Sequence, residues 1–156
     1  GNLAAAVALR LRDEGGPEVR GQVLIYPVTD YHTPATGSYL ENAEGFGLTR
    51  EAMKWYWAHY LNDPGEARLA DAAPLQASSF ERLPPALIIS AEYDVLRDEA
   101  EEYGRRLAAA GVPVALSRYD GMNHAFLFWV GRVAGADRAM AEICAWLRAR
   151  WGAIAS

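Results

Sequence analysis

Apolar residues along this chain form two kinds of run. Val23-Leu24-Ile25-Tyr26 and Ala86-Leu87-Ile88-Ile89-Ser90-Ala91 are almost continuous, without polar alternation. Such runs predict strands over 22–27 and 86–91 with both faces covered. Residues 113–119, Pro-Val-Ala-Leu-Ser-Arg-Tyr, alternate only in part and predict an edge strand. Four segments carry helical signals instead. Leu3, Val7, Leu9 and Leu11 sit among alanines over 2–14, and Gly15-Gly16-Pro17 stops them. Thr49 caps a Trp- and Tyr-rich helix over about 50–61. Residues 97–110 open with Asp98 and Glu99, where the helix dipole favours anions, and end at Gly111. Met140, Ile143, Cys144, Leu147 and Trp151 recur at helical spacing over 135–151. Residues 28–48 and 62–84 are rich in turn formers and predict irregular excursions.

Strand–helix–strand–helix order implies right-handed crossovers, so the predicted class is α/β: parallel strands with flanking helices. The strand at 22–27 reads as internal, yet only one helix precedes it. Three strands alone would leave it as an apolar edge, which invites another strand. The expectation is further strands upstream, with the edge at 22–27 engaged either by self-association or by an N-terminal half.

The length of 156 residues fits one domain. Just over half the residues are apolar and 22% are charged, so the chain is globular rather than disordered. The net charge is −5 and the only lysine is Lys54; without a basic stripe, nucleic acid is not an expected partner. No apolar run approaches the ~20 residues that span a bilayer, so no stable membrane insertion is expected. The first residues lack the charged region of a signal peptide, and one cysteine excludes an internal disulfide framework. These readings make a cytoplasmic protein the expectation.

Ligands of open parallel sheets bind beyond the carboxyl ends of the strands. Asp94 follows the strand at 86–91, and His124 follows the one at 113–119. A carboxylate on one loop could accept Nδ1–H of an imidazole on the next, fixing its tautomer for general-base work. From the residues alone, Asp94 reads as readily as a turn former or helix cap, and His124 as a surface residue. His32 and His59 have no metal-ligand spacing, and Gly45 and Gly47 do not complete a phosphate-binding pattern. No cofactor and no metal are expected. Trp55, Tyr56 and Trp57 are consecutive, so at least one must point away from the main core.

Four stretches together are specific. Leu24-Ile-Tyr-Pro-Val-Thr-Asp30, Glu41-Asn-Ala-Glu-Gly-Phe-Gly-Leu-Thr49, Leu83-Pro-Pro-Ala-Leu-Ile-Ile-Ser-Ala-Glu-Tyr-Asp-Val-Leu-Arg-Asp-Glu99 and Tyr119-Asp-Gly-Met-Asn-His-Ala-Phe126 resemble the hormone-sensitive-lipase-like (bacterial family IV) carboxylesterases. The resemblance covers essentially all 156 residues and implies the C-terminal part of an α/β-hydrolase fold, residues 1–156 forming a portion of one domain. It maps the family's triad acid onto Asp94 and its base onto His124, and it places Phe46, Tyr56 and Val95 at the substrate. It implies a small-molecule ester with a short to medium acyl chain, hydrolysed without metal or cofactor. Val95 stands where the family usually has Pro, Ala125 where it commonly has Gly, and Gly47 where it often has a larger apolar residue. The family's nucleophile lies in Gly-Asp-Ser-Ala-Gly-Gly before Asn-Leu-Ala, and Gly1-Asn2-Leu3-Ala4 resembles the end of that motif. The serine would fall three residues before Gly1. Ser78, Ser79, Ser90 and Ser117 lack the Gly-x-Ser-x-Gly context of a nucleophile elbow. The expectation is therefore an incomplete serine hydrolase, inactive by itself. The rival reading is a non-catalytic fragment or binding domain that needs a partner half.

Overall fold

The computed structural model of the chain describes residues 1–152; the last four residues of the expected 1–156 portion lie outside it. Three parallel strands stand in the order β1 (Gln22–Ile25), β2 (Ala86–Tyr93) and β3 (Val114–Asn123). Helix α1 (Asn2–Asp13) precedes the sheet, α2 (Gly37–Glu41) and α3 (Arg50–Tyr60) lie between β1 and β2, α4 (Arg97–Ala109) crosses from β2 to β3, and α5 (Ala134–Trp151) ends the described chain.

Successive side chains of a strand point to opposite faces, and β2 shows what that demands of a central strand. Ala86 and Ile88 face Leu9 of α1 and Tyr103 and Leu107 of α4, whereas Leu87, Ile89 and Ala91 face Ala136, Ala139 and Ile143 of α5. Both faces are dry, so the run has no polar alternation. Helix α5 packs through small residues; Met140, expected on its apolar stripe, points outward. Helix α4 ends in a Schellman motif. Gly111 takes φ +80°, its N–H bonds Ala108, and Val112 N–H bonds the Leu107 carbonyl. That turn delivers the chain directly into β3.

Strand ends and one excursion differ from the sequence reading, and β2 itself runs to Tyr93 rather than residue 91. Strand β1 stops at Ile25 rather than residue 27, because Tyr26 adopts φ +33° and Pro27 has no N–H to offer a ladder. Strand β3 runs four residues past the expected end, to Asn123. The excursion at 28–48 contains α2, capped by the Thr36 side chain. It packs Tyr39 with Met53, Trp57, Val95 and Leu96 into a third apolar cluster above the strand ends.

The extension of β3 fixes where its loop begins. Pairing is regular from Ala86↔Val114 to Ala91↔Tyr119, then jumps to Tyr93↔Asn123. Beyond Tyr119, β3 therefore carries two more residues than its partner, a bulge. Gly121, at φ +75°, lies in the extra stretch, and its N–H donates to Glu92 Oε2 at 2.7 Å.

Candidate active site

Because Tyr93 pairs with Asn123, Asp94 and His124 are the first residues past the last paired position of adjacent strands. They meet there: His124 Nδ1 lies 2.7 Å from Asp94 Oδ2. An ionised carboxylate only accepts, so Nδ1 carries the hydrogen and Nε2 is left as the free lone pair. The Asp94 side chain is 1% exposed and that of His124 is 23% exposed. The carboxylate is thus shielded while the imidazole reaches a surface.

Each partner is itself held. Asp94 Oδ1 accepts the Leu96 N–H at 3.0 Å, and its carbonyl accepts from Asn42 Nδ2 at 3.2 Å. Ser38 Oγ–H donates to the Val95 carbonyl at 2.7 Å, and Ser38 N–H donates to Asp98 Oδ2 at 2.7 Å. Arg97 spans Glu41 and Asp98. Helix α2 is in this way laced to the loop that carries Asp94. On the other side, the Tyr26 ring lies against the His124 imidazole, with centroids 4.6 Å apart and planes tilted by 56°. Ala125 takes φ +67° directly after His124. A left-handed residue other than glycine costs about 1 kcal/mol, which explains the glycine that the resembled family favours here.

His124 opens on a cavity of about 680 Å³. Gly1, Asn2, Tyr26, Gly47, Met53, Tyr56, Leu96 and Phe128 line it with His124. Gly47 adopts φ +97°, a backbone state that a larger residue would resist. A smaller apolar cavity of about 310 Å³ lies between α1 and α3, lined by Leu3, Val28, Met53, Trp57 and Tyr60 among others, and it holds no acid or base.

Of the residues expected at the substrate, only Tyr56 lines the cavity with His124. Phe46 instead stacks flat on Tyr93, at 4.6 Å between centroids and 10° between planes, and its carbonyl accepts from Asn123 Nδ2. Val95 is fully buried in the cluster of Tyr39, Met53 and Trp57, behind the cavity wall. Trp57 is core, whereas Trp55 and Tyr56 stand more than half exposed. His32 bonds Thr33 and His59 bonds the Trp55 carbonyl, and no cluster of three metal-ligating side chains occurs among the described residues. Tyr26, Asn42, Ser38 and Phe128 were not singled out from sequence. Their roles depend on backbone placement, and only the Tyr-Pro at the end of β1 offered a signal.

The comparisons with known proteins agree on one family. A family model described as alpha/beta hydrolase fold matches residues 1–128. Carboxylic ester hydrolase LipN of Mycobacterium tuberculosis is 40% identical over 157 aligned residues, covering 96% of this chain and 41% of that protein. A thermostable esterase from Pseudomonas putida superposes with a TM-score of 0.86 at 45% identity, over 90% of this chain and 45% of that one. A hyperthermophilic esterase from the archaeon Pyrobaculum calidifontis gives a TM-score of 0.91 at 37% identity, over 95% of this chain and 49% of that one. The chain spans less than half the length of each of these relatives.

Proposed function

The chain belongs to the α/β-hydrolase fold family, and from that premise we propose that it supplies the acid and the base of a serine carboxylesterase. The observation that carries this reading is the 2.7 Å contact between a buried carboxylate and an imidazole open to a cavity. Relatives named as ester hydrolases and esterases support it.

In this mechanism the nucleophile is a serine outside these 156 residues. The family serine precedes the position of Gly1 by three residues, and Gly1 lines the same cavity as His124. A serine at that point of the chain would enter the cavity beside Nε2. His124 Nε2 takes the hydroxyl proton as oxygen attacks the ester carbonyl. The imidazolium then protonates the departing alcohol, and water completes the cycle by the same route. Asp94 holds Nδ1–H and stabilises the imidazolium without taking its proton. Tyr56 and Phe128 border the acyl and alcohol groups. The substrate class, esters with short to medium acyl chains, follows from the family resemblance and suits an open, largely apolar cavity.

The test is reconstitution. The 156-residue chain, mixed with a purified N-terminal segment carrying the Gly-Asp-Ser-Ala-Gly-Gly stretch, is expected to hydrolyse p-nitrophenyl butyrate, and p-nitrophenyl palmitate far more slowly. Neither piece is expected to do so alone, because triad members act as a unit. Turnover by the chain alone that survives His124→Ala would sink the assignment.

A partner half also answers the state of β1. Gln22 and Tyr26 donate their N–H groups toward β2, so alternation turns the Val23 and Ile25 amides to the opposite edge. We expect that edge to take up a strand of the N-terminal half, or of a second copy in its absence. Light scattering behind size-exclusion chromatography is expected to show the isolated chain as a dimer or larger. A cooperative monomer at micromolar concentration would refute the open edge.

A further inference from the structure

Among the described residues, three other than glycine hold a positive φ: Tyr26, Arg82 and Ala125. Two of them meet at His124, Tyr26 at +33° and Ala125 at +67°. For Tyr26 the conformation is doubly unfavourable. A side chain resists the left-handed region, and the residue before a proline is pushed to extended backbone. The surroundings hold it there nonetheless. Its N–H donates to the Ile89 carbonyl at 2.7 Å, just beyond the last paired position of β1. Pro27 is wedged against Gly1, so closely that a Cβ on Gly1 would lie 2.7 Å from the Pro27 Cα and 3.2 Å from the Ile25 carbonyl oxygen. Strain of this kind persists only where the structure around it over-determines it, and it gathers at functional sites.

The kink changes which face of the sheet the ring serves. Val23 and Ile25 pack in the cluster beneath α5, and Leu24 packs in the opposite one. Regular alternation would send Tyr26 with Leu24. It joins Val23 and Ile25 instead, on the side of the histidine loop. There two residues of that loop grip the ring. The His124 centroid lies 4.6 Å away, and that of Phe126, which is buried, lies 6.1 Å away with planes at 61°. The left-handed Ala125 between them lets both side chains reach the same ring. Tyr119 in turn backs Phe126 at 5.3 Å. The imidazole is thus held at Nδ1 by Asp94 and over its face by Tyr26. A single hydrogen bond leaves a ring free to swing about the acceptor. A wall beside it removes that freedom.

We propose that Tyr26 is a positioning residue for the base: its ring, turned over by the strained Tyr26–Pro27 turn, confines the His124 imidazole to the orientation that bonds Asp94 and points Nε2 into the cavity. The inference rests on reading His124 as the base, but one of its readouts does not need hydrolysis. The same turn touches Gly1 through Pro27. One short segment therefore spaces the imidazole from the start of α1, the end of the chain from which the serine is expected.

The experiment pairs NMR of the histidine-labelled chain with kinetics of the reconstituted hydrolase. The Nδ1 proton of His124, identified by its loss in His124→Ala, is expected to be sharp in the wild type. In Tyr26→Ala it should broaden or vanish by exchange with water. In the same variant kcat for p-nitrophenyl butyrate should fall by about tenfold to a hundredfold, with KM changed by less than about threefold. Tyr26→Phe restores the ring and is expected to bring back both the resonance and most of kcat. Tyr26 also borders the cavity, so the rival role is a wall for the substrate. KM would then rise in Tyr26→Ala with kcat and the resonance kept, and the proposal is overturned. It is overturned as well if Tyr26→Ala keeps a sharp resonance or the wild-type kcat, or if Tyr26→Phe behaves like Tyr26→Ala. Should Tyr26→Ala not fold, Tyr26→Leu, apolar but without a flat ring, decides by the same resonance. Failure of the esterase reading would appear separately, as absent turnover in the reconstituted hydrolase with the NMR difference intact.

Discussion

Replacing His124 by Ala in the reconstituted hydrolase is expected to lower kcat by about 10⁵- to 10⁶-fold, with KM for p-nitrophenyl butyrate nearly unchanged. The large figure follows from what the imidazole does. Without it no group takes the serine proton during attack, and none returns a proton to the leaving alcohol. The unchanged KM follows because His124 acts on a proton in flight rather than on the resting ester. Misfolding is a poor alternative account: the side chain is 23% exposed and its partner is held independently by Leu96 N–H and the Asn42 amide. Removing it leaves the shielded Asp94 Oδ2 without its donor, so a loss of about 1–3 kcal/mol in the ΔG of unfolding is expected. A variant that is folded yet retains more than about a hundredth of the wild-type kcat would deny His124 the role of base.

Asp94→Asn is expected to lower kcat by about 10⁴-fold. The local geometry says why so small a change costs so much. Asp94 uses one oxygen for Leu96 N–H and the other for His124 Nδ1. In Asn the carbonyl oxygen keeps the bond to Leu96, because that donor is fixed in the backbone, and the NH₂ then faces the imidazole. Nδ1 must accept, so its hydrogen moves to Nε2 and the base loses its lone pair. Raising the pH should not restore activity, since the defect is one of tautomer. Steady-state kinetics between about pH 6 and 9, with ¹⁵N shifts of the ring nitrogens, would check both halves. Full activity with Nδ1 still protonated would refute this account.

How much of this could be read from the residues differs from element to element. The core of β2 was legible because a strand covered on both faces has only apolar positions, and Leu87 through Ile89 bear that out. Helix α4 was legible from its acidic first turn and from Gly111, which supplies the left-handed residue of its terminal motif. The neighbouring positions of Asp94 and His124 after adjacent strands were legible too, although the bulge before His124 was not: Asp120 to Met122, three residues opposite the single Glu92, read as loop. Phe46 and Val95, which the resemblance places at the substrate, stand off the cavity on which His124 opens. An aromatic beside a cavity turns toward whichever partner packs best, and Tyr93 offered Phe46 a flat face outside the cavity. Val95 follows Asp94 in sequence, but the turn there sends its side chain into the apolar cluster. Tyr26 reads as the last residue of an apolar strand, because its positive φ, which turns the ring toward His124, has no signature in composition.

The register jump between Tyr119 and Asn123 loosens the code of the sheet near the site. Ala115 and Tyr119 face the cluster beneath α5, and Met122, three residues further on, joins that same cluster. A strict period of two would send it to the opposite face. The two extra residues are taken up in the bulge, since Tyr93 and Asn123 stand opposite one another directly beyond it. The chain can therefore gain or lose residues in pairs here without moving Asn123, and with it His124, away from the strand that carries Asp94. Among descendants of such a fold, variation in the length of this strand should gather in this short stretch rather than in the paired run below it.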